Sequence, residues 1–267
     1  MGKKLDLKHP KTLIFNEKIQ WLKLYNRKPE YTQMADKCAA RKWICRELSE
    51  RGYEYPDSFL PAVYGKWDCF DAIDFSNLPD SFVLKTNHDS GTVVLVPDKS
   101  KFDAKAARKK LTKSLAINYY KHGREYVYRD IKPCVFAEEY LGYNINDYKF
   151  FCFDGKVRAI EVDFDRLIEH KRNVYTSDWN FVPLQIRYPN DPNHIIPRPE
   201  VLSEMIKIAE ILSQGLPFLR VDLYNVLGRI YIGELTFYPA SGCSLFYPDS
   251  YNEIFGGWIK LPDTKTL

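Results

Sequence analysis

Apolar positions in the first third of the chain recur at helical spacing. They predict a helix from Asn16 to Tyr25 and a second from Thr32 to Glu50, where Ala35, Cys38, Ala39, Trp43 and Leu48 form a stripe and Gly52 supplies a stop. A loop rich in Pro and Tyr runs through Pro56 and Pro61 to Pro79, after which the period shortens. Ser81 to Leu84 reads as a strand entering the turn Asn87-His88-Asp89-Ser90-Gly91, with Thr92 to Val96 as its hairpin partner. From Lys99 to Lys113 the lysines alternate with Ala104, Ala106, Ala107 and Leu111, the pattern of an amphipathic helix with a solvated face.

The second half turns antiparallel. Cys134 to Leu141 reads as a strand, and Tyr148 to Phe153 with Lys156 to Phe164 reads as a hairpin about Asp154-Gly155. The proline-rich segment from Tyr188 to Pro199 is a loop, and Glu200 to Ser213 is a helix with Val201, Met205, Ile208 and Leu212 on one stripe and Gly215 as its cap. Phe218 to Tyr224 and Arg229 to Phe237 form a further hairpin that feeds the loop Pro239-Ala240-Ser241-Gly242. Strands and helices alternate irregularly, so the fold class is α+β with two sheets, not a doubly wound one.

Composition narrows the function. The chain has 267 residues and 31.4 kDa, 45% of them apolar and 28% charged, which suits one large α/β unit or two lobes closing on a cleft. Its 39 basic and 35 acidic residues give a net charge of +4, too even to argue for a nucleic-acid partner. The basic helix leaves open a surface that receives acidic glycan or an anionic membrane. The cysteines Cys38, Cys45, Cys69, Cys134, Cys152 and Cys243 show no CxxC pair or finger spacing, so neither a disulfide framework nor a zinc site is expected. The polar start Met-Gly-Lys-Lys, an Asp at position 6 where a lipidation signal needs Ser or Thr, and the lack of a bilayer-length apolar run lead to a cytoplasmic expectation.

Alternation places Arg220 and Asp222 on one face of their strand, with Leu219, Val221 and Leu223 on the other. On the returning strand Glu234 and Thr236 share a face, and hairpin closure can set them beside Asp222. Two carboxylates on a rigid hairpin suit magnesium, which takes one or two carboxylates plus phosphate oxygens and water; they also suit a solvated surface. Lys85 ends an apolar strand just before Ser90-Gly91, where a cation and free backbone amides could cradle phosphate, or where a lysine could simply be exposed. Glu138 and Glu139 leave a strand for a loop, a position from which an adenine amine could be read, or one of ordinary strand-end charges. Asp163-Phe164-Asp165 matches the Asp-x-Asp pattern of sugar-nucleotide enzymes, and equally an alternating strand end. Of the histidines, His88 and His170 could touch phosphate, while His9, His122 and His194 read as surface residues.

Arg41, Lys85, Glu138, Arg220-Val221-Asp222 and Glu234 occur in the order and approximate spacing of the ATP-grasp superfamily, which the chain resembles. Asp36-Lys37 with Arg41, Phe82 to Asn87, Glu138-Glu139-Tyr140-Leu141, Asp147-Tyr148-Lys149-Phe150-Phe151 and Asp154-Gly155-Lys156 resemble its TupA-like branch, associated with teichuronopeptide and capsular polysaccharide synthesis, over about residues 10 to 262. The resemblance implies an ATP-grasp fold: a short helical segment over 1–35, an N-terminal lobe over 36–141 and a C-terminal lobe over 142–267 that close on an ATP cleft. It further implies that Arg41 and Lys85 hold ATP phosphates, that Asn87, Ser90 and Gly91 belong to a mobile flap, and that Glu138, Glu139 and Leu141 border adenine. Asp147 would meet the ribose, with Lys149 facing the same cleft. Asp222, Glu234 and Thr236 would hold Mg2+, Arg220 would act on the transferring phosphoryl group, and Ser241 and Gly242 would border the acceptor.

Two departures stand out: Thr236 replaces the Asn usual two positions after the metal-binding Glu, which puts a second magnesium in doubt, and only about thirty residues precede Asp36. The implied reaction is attack of a carboxylate on ATP to give an acyl phosphate, then attack of an amine to give an amide. A uronic acid on a glycan or nucleotide sugar and an amino acid or small amine are the implied partners. The rivals are a glycosyltransferase, a phosphotransferase on the same fold and a non-catalytic module for acidic glycan.

Overall fold

The structure, a computed structural model, describes residues 12–263, so the N-terminal motif and His9 lie outside the described residues. Helix α1 (Phe15–Tyr25) forms as its periodicity predicts. The helix expected from Thr32 to Glu50 is instead two, α2 (Pro29–Ala35) and α3 (Ala40–Ser49). Asp36 divides them: its Oδ1 accepts from the amides of Cys38 at 2.8 Å and Ala39 at 3.2 Å, so a side chain takes the donors that a continuous helix would need.

All strand pairs are antiparallel. A four-stranded sheet runs β1 (Val63–Trp67), β4 (Val135–Glu138), β2 (Phe82–Thr86), β3 (Val93–Val96). A six-stranded sheet runs β11 (Arg229–Thr236), β10 (Leu219–Val226), β5 (Asp147–Phe153), β6 (Lys156–Phe164), β7 (Lys171–Tyr175), β8 (Phe181–Val182). Short strands β9 (Gln185–Ile186) and β12 (Phe246–Tyr247) pair separately. The remaining helices are α4 (Ala104–Leu115), the single turn α5 (Tyr120–Gly123), α6 (Leu202–Ser213) and α7 (Ser250–Trp258). Strand β4 stops at Glu138, short of the expected Leu141, because residues 139–146 leave the sheet as a loop. Strands β1 and β7 and helix α7 are not among the elements expected from the pattern.

Each sheet has its own core. Phe82, Leu84, Val135 and Ala137 of the small sheet pack on Ala107 and Leu111 of α4, whose lysines face outward as its stripe predicts. In the large sheet α6 covers one face, with contacts to β5, β6 and β10. On the opposite face Phe15 of α1 is fully buried among Phe151, Phe153, Phe218, Phe246 and Phe255, at ring-centroid distances of 5.2 to 6.4 Å. Helix α7 closes against α1 at Gly256, where a Cβ would lie 2.7 Å from the amide nitrogen of Phe15, so only glycine allows the approach. This aromatic wedge fills one end of the face and leaves the other end free to carry polar side chains.

Phe15→Ala removes the ring at the centre of that wedge. Its expected cost is about 3–5 kcal/mol, the range for deleting a buried aromatic ring, read as a lower urea midpoint at unchanged slope. A loss below about 1 kcal/mol would show that the cluster does not depend on this ring.

Candidate active site

Strand register builds the site. Glu234 pairs with Asp222, Asp222 with Lys149, and Lys149 with Glu161, so four charged side chains form a row across β11, β10, β5 and β6. The neighbouring row runs Tyr224, Asp147, Asp163, Arg172 across β10, β5, β6 and β7. Because side chains alternate, the residues between them, including Phe150, Ile160, Val162 and Val221, enter the core. The hairpin β10–β11 carries an extra residue, Gly233, between Glu234 and Ile232. A Cβ there would lie 2.8 Å from the Tyr224 ring, so glycine admits the bulge that sets Glu234 opposite Asp222.

Three cations, Arg220, Lys149 and Arg172, tie the acids of these rows together. Arg220 donates from Nε to Asp222 Oδ1 at 2.6 Å and from Nη2 to Asp222 Oδ2 at 2.7 Å, Thr236 Oγ1 at 3.0 Å and Glu234 Oε1 at 3.3 Å. Buried Lys149 bonds Asp147 and lies 3.0 Å from Asp222 Oδ2 and 3.6 Å from Asp163 Oδ2. Burial alone would discharge it, but Asp147 and Asp222 hold it above the ordinary lysine range. Burial also opposes ionisation of Glu234, yet Lys37, Arg220 and Lys149 outweigh it and hold that carboxyl at about 2. Glu161 is the exception. Neither of its oxygens accepts a hydrogen bond, because the Arg172 Nε, 3.1 Å away, directs its proton at Asp163 at 2.6 Å. Burial, only partly offset by Arg172, pushes Glu161 up to about 7.

Above these rows lies a cleft of about 510 Å³, lined among others by Lys37, Lys85, Ser90, Gly91, Asp147, Lys149, Arg220, Asp222, Glu234, Thr236 and Ser241. It is continuous, through Lys85, Gly91, Arg166 and Tyr224, with a second pocket of about 430 Å³ walled by Val83, Leu95, Glu138, Glu139, Leu141 and Ile145. Ten of the sequence-derived residues thus face the charged cleft, and Glu138, Glu139 and Leu141 line the more apolar pocket beside it. Lys85 borders both and pairs with Glu138.

Three sequence-derived residues lie elsewhere. Arg41 lines a cavity of about 20 Å³ behind Lys85, Glu138 and Glu234, and the cation from the same turn that reaches the cleft is Lys37. Asn87 is fully buried, its side chain bridging the Cys134 amide at 2.8 Å and the Lys132 carbonyl at 3.1 Å. The expected flap is therefore anchored through Asp89, which accepts from the hydroxyls of Thr86, Thr92 and Ser114, and only Ser90-Gly91 project. Gly242 packs on α1, where a Cβ would meet Gln20 and Ile19 at 2.9 Å. His88 turns inward to the carbonyls of Ser114 and Ile117, His194 stacks on Phe164 at 4.3 Å, and His170 and the exposed His122 both line the cleft. Asp165 sits in a turn at φ 50° bonded to Asn144, apart from Asp163, so the Asp-x-Asp residues do not form a facing pair. Sequence reading missed Lys37, Glu161, Arg172 and Glu125; alternation in Glu161-Val162-Asp163-Phe164 was the available signal for the second.

Asp222 and Glu234 offer hard oxygen donors on facing strands, with Thr236 beside them, which fits a magnesium ion whose other ligands are phosphate oxygens and water. Among the described residues no group of three or more His, Cys, Asp or Glu forms a self-sufficient metal site, so the donor set suits a shared metal better than a structural one.

The family described as TupA-like ATPgrasp matches residues 17–260. Among solved structures, the chain is similar to an L-amino acid ligase from Bacillus licheniformis (14% identity, TM-score 0.48, covering 85% of this chain and 49% of that one). It is also similar to a D-alanine–D-alanine ligase from Bacillus anthracis (19%, 0.46, 84% and 64%) and to a RimK domain ATP-grasp protein from Sphaerobacter thermophilus DSM 20745 (14%, 0.42, 88% and 70%). This chain spans 49% of the length of the first and 64% of the second, less than two thirds of either. No curated protein matches it. Among the described residues no helix is long and apolar enough to cross a membrane.

Glu161 makes stability depend on pH. Its folded pKa of about 7 lies above the ordinary glutamate value, so between roughly pH 4.3 and 7 the folded state binds the extra proton, and stability falls as pH rises through that window. Glu161→Gln should remove that slope and stabilise the protein at pH 8 by about 1–3 kcal/mol relative to its effect at pH 4. Urea titrations at both pH values read this, and an unchanged difference between variant and parent would contradict it.

Proposed function

Because this chain belongs to the TupA-like ATP-grasp family, we propose that it is an ATP-dependent carboxylate–amine ligase that forms an amide through an acyl phosphate. The observation that carries this is one network, in which Arg220 bridges Asp222, Glu234 and Thr236 on the floor of a cleft that opens into an apolar-walled pocket at Glu138–Leu141. That juxtaposition of cations, paired acids and an apolar-walled pocket is what a magnesium nucleotide needs.

In this reading adenine lies in the pocket bordered by Val83, Leu95 and Leu141, and the triphosphate points toward Lys85, Lys37 and the Ser90-Gly91 backbone. Asp222 and Glu234 hold magnesium, with Thr236 beside them; when bound, the ion neutralises charge on the phosphate oxygens. A substrate carboxylate oxygen attacks the γ-phosphorus, the bond to the β-phosphate oxygen breaks, and ADP leaves with its electron pair. Arg220 lies beside the acids and offsets negative charge as the phosphoryl group moves. The amine nitrogen then attacks the acyl carbon and inorganic phosphate departs. Phosphoryl transfer is mostly positioning and charge neutralisation, so the site needs no serine or cysteine nucleophile.

For the acid we propose a uronic acid of a surface polysaccharide or its precursor, supported by the family resemblance and by Arg166 and Arg187 on the cleft wall. The acceptor would be an amino acid or small amine, and the reaction would take place in the cytoplasm.

ADP release should require both a carboxylate and an amine. Asp222→Asn and Glu234→Gln should each lower turnover by about a hundredfold or more while the variants keep the parent's circular dichroism. Full turnover in both variants would refute the metal assignment. Product mass separates the reactions: an amide marks a ligase, a phosphoester a phosphotransferase, and sugar transfer without ATP a glycosyltransferase.

A further inference from the structure

One end of the cleft holds a buried acid that the reaction described above does not use. Glu125 is 8% exposed and lines the cleft together with Tyr119, Tyr128, Tyr238 and Ser241. Gly123 makes room for it, since a Cβ there would lie 2.2 Å from Ser241 Oγ and 2.8 Å from Glu125 Oε1.

Two of the neighbouring donors, Lys23 and Ser241, are drawn to carbonyls. Lys23 Nζ has three protons, and it bonds the Gly123 carbonyl at 2.9 Å, the Ser241 carbonyl at 2.8 Å and Ser241 Oγ at 3.0 Å. The Ser241 hydroxyl has one proton, in hydrogen-bonding geometry with the Gly123 carbonyl at 3.1 Å. A hydrogen bond from Ser241 and the charge of Lys23 ease ionisation of Glu125, but burial is the larger influence and lifts its carboxyl to about 7. A buried carboxylate whose nearby hydroxyl donor, Ser241, is shared with the Gly123 carbonyl, and which has aromatic rings around it, is suited to a cation.

We infer that Glu125 receives the ammonium group of the amine substrate and takes its proton before the nitrogen attacks the acyl phosphate. The inference rests on the ligase reading and names the acceptor's class as a primary amine that enters protonated. Glu125 accepts one proton from R–NH3+, freeing the lone pair. That pair forms the C–N bond, and the acyl C–O bond breaks, its electrons leaving with phosphate. The second nitrogen proton departs with the phosphate or to water. The strained loop at Ala240 (φ 46°) and Ser241 (φ 56°), held by Lys23 and by Gln20, forms the rim of this subsite.

Hydroxylamine separates the two steps, because it is uncharged at neutral pH and traps an acyl phosphate as a hydroxamate without needing a base. Wild type and Glu125→Gln are assayed with Mg-ATP and glucuronate, galacturonate or UDP-glucuronate, using either hydroxylamine or glycine, ethanolamine and ammonium as acceptors. The inference expects unchanged hydroxamate formation in the variant, which also shows that it folds, and a loss of about a hundredfold or more in amide formation. Equal loss of both products, undiminished amide formation, or a wild type that makes hydroxamate but no amide from any of these amines would overturn it. No hydroxamate from wild type with any of the acids would instead count against the ligase reading itself.

Discussion

The structure depends on neutralising charge inside a low-dielectric sheet face. Lys149 stands between Asp147, Asp163 and Asp222, and Arg220 between Asp222 and Glu234, so each of these cations is shared by two or more acids, and losing one would leave acids unpaired inside the fold. Such ion pairs are weak sources of stability, because desolvation offsets much of their attraction. Their value here is geometric: Lys149 and Arg220 each hold two or more carboxylates in place. The face is still open to the cleft, where arriving charges could exchange partners with it.

That arrangement requires a rigid floor. The phenylalanine wedge under α1 and α7 and the α6 face clamp the sheet from both sides, so the charged rows occupy only the stretch that neither covers. The Gly233 bulge then rotates Glu234 into register with Asp222. At the far end, Lys23 and Gln20 from α1 hold two non-glycine residues in the left-handed region, a conformation that costs about 1–2 kcal/mol per residue. Strain of this kind, fixed at a cleft rim by three hydrogen bonds from one lysine, ties the N-terminal helix to the Glu125 end of the cleft.

The cleft was legible where chemistry follows alternation along one strand. Arg220 with Asp222, and Glu234 with Thr236, share faces by the two-residue period alone, and the hairpin places them together as expected. Misplacements arose where a polar side chain bonds the backbone. Asp36 breaks a helix whose apolar stripe runs on uninterrupted, and Asn87 turns away from the cleft because it completes the hydrogen bonding of residues 132 and 134. Neither bond has a signature in periodicity, since each depends on a backbone group whose availability is known only after folding.

The sequence by itself determined the α+β class, the antiparallel hairpins, the amphipathic basic helix and the acidic pair on β10 and β11, because these follow from local period and turn chemistry. Only tertiary structure decided that Glu161 lies buried beside Lys149, that Lys37 reaches the cleft in place of Arg41, and that Glu125 stands near Ser241, 116 positions later in the chain. Those contacts join segments far apart in sequence. Their energies depend on burial and on which donors remain available, quantities that do not exist until the chain has closed on itself.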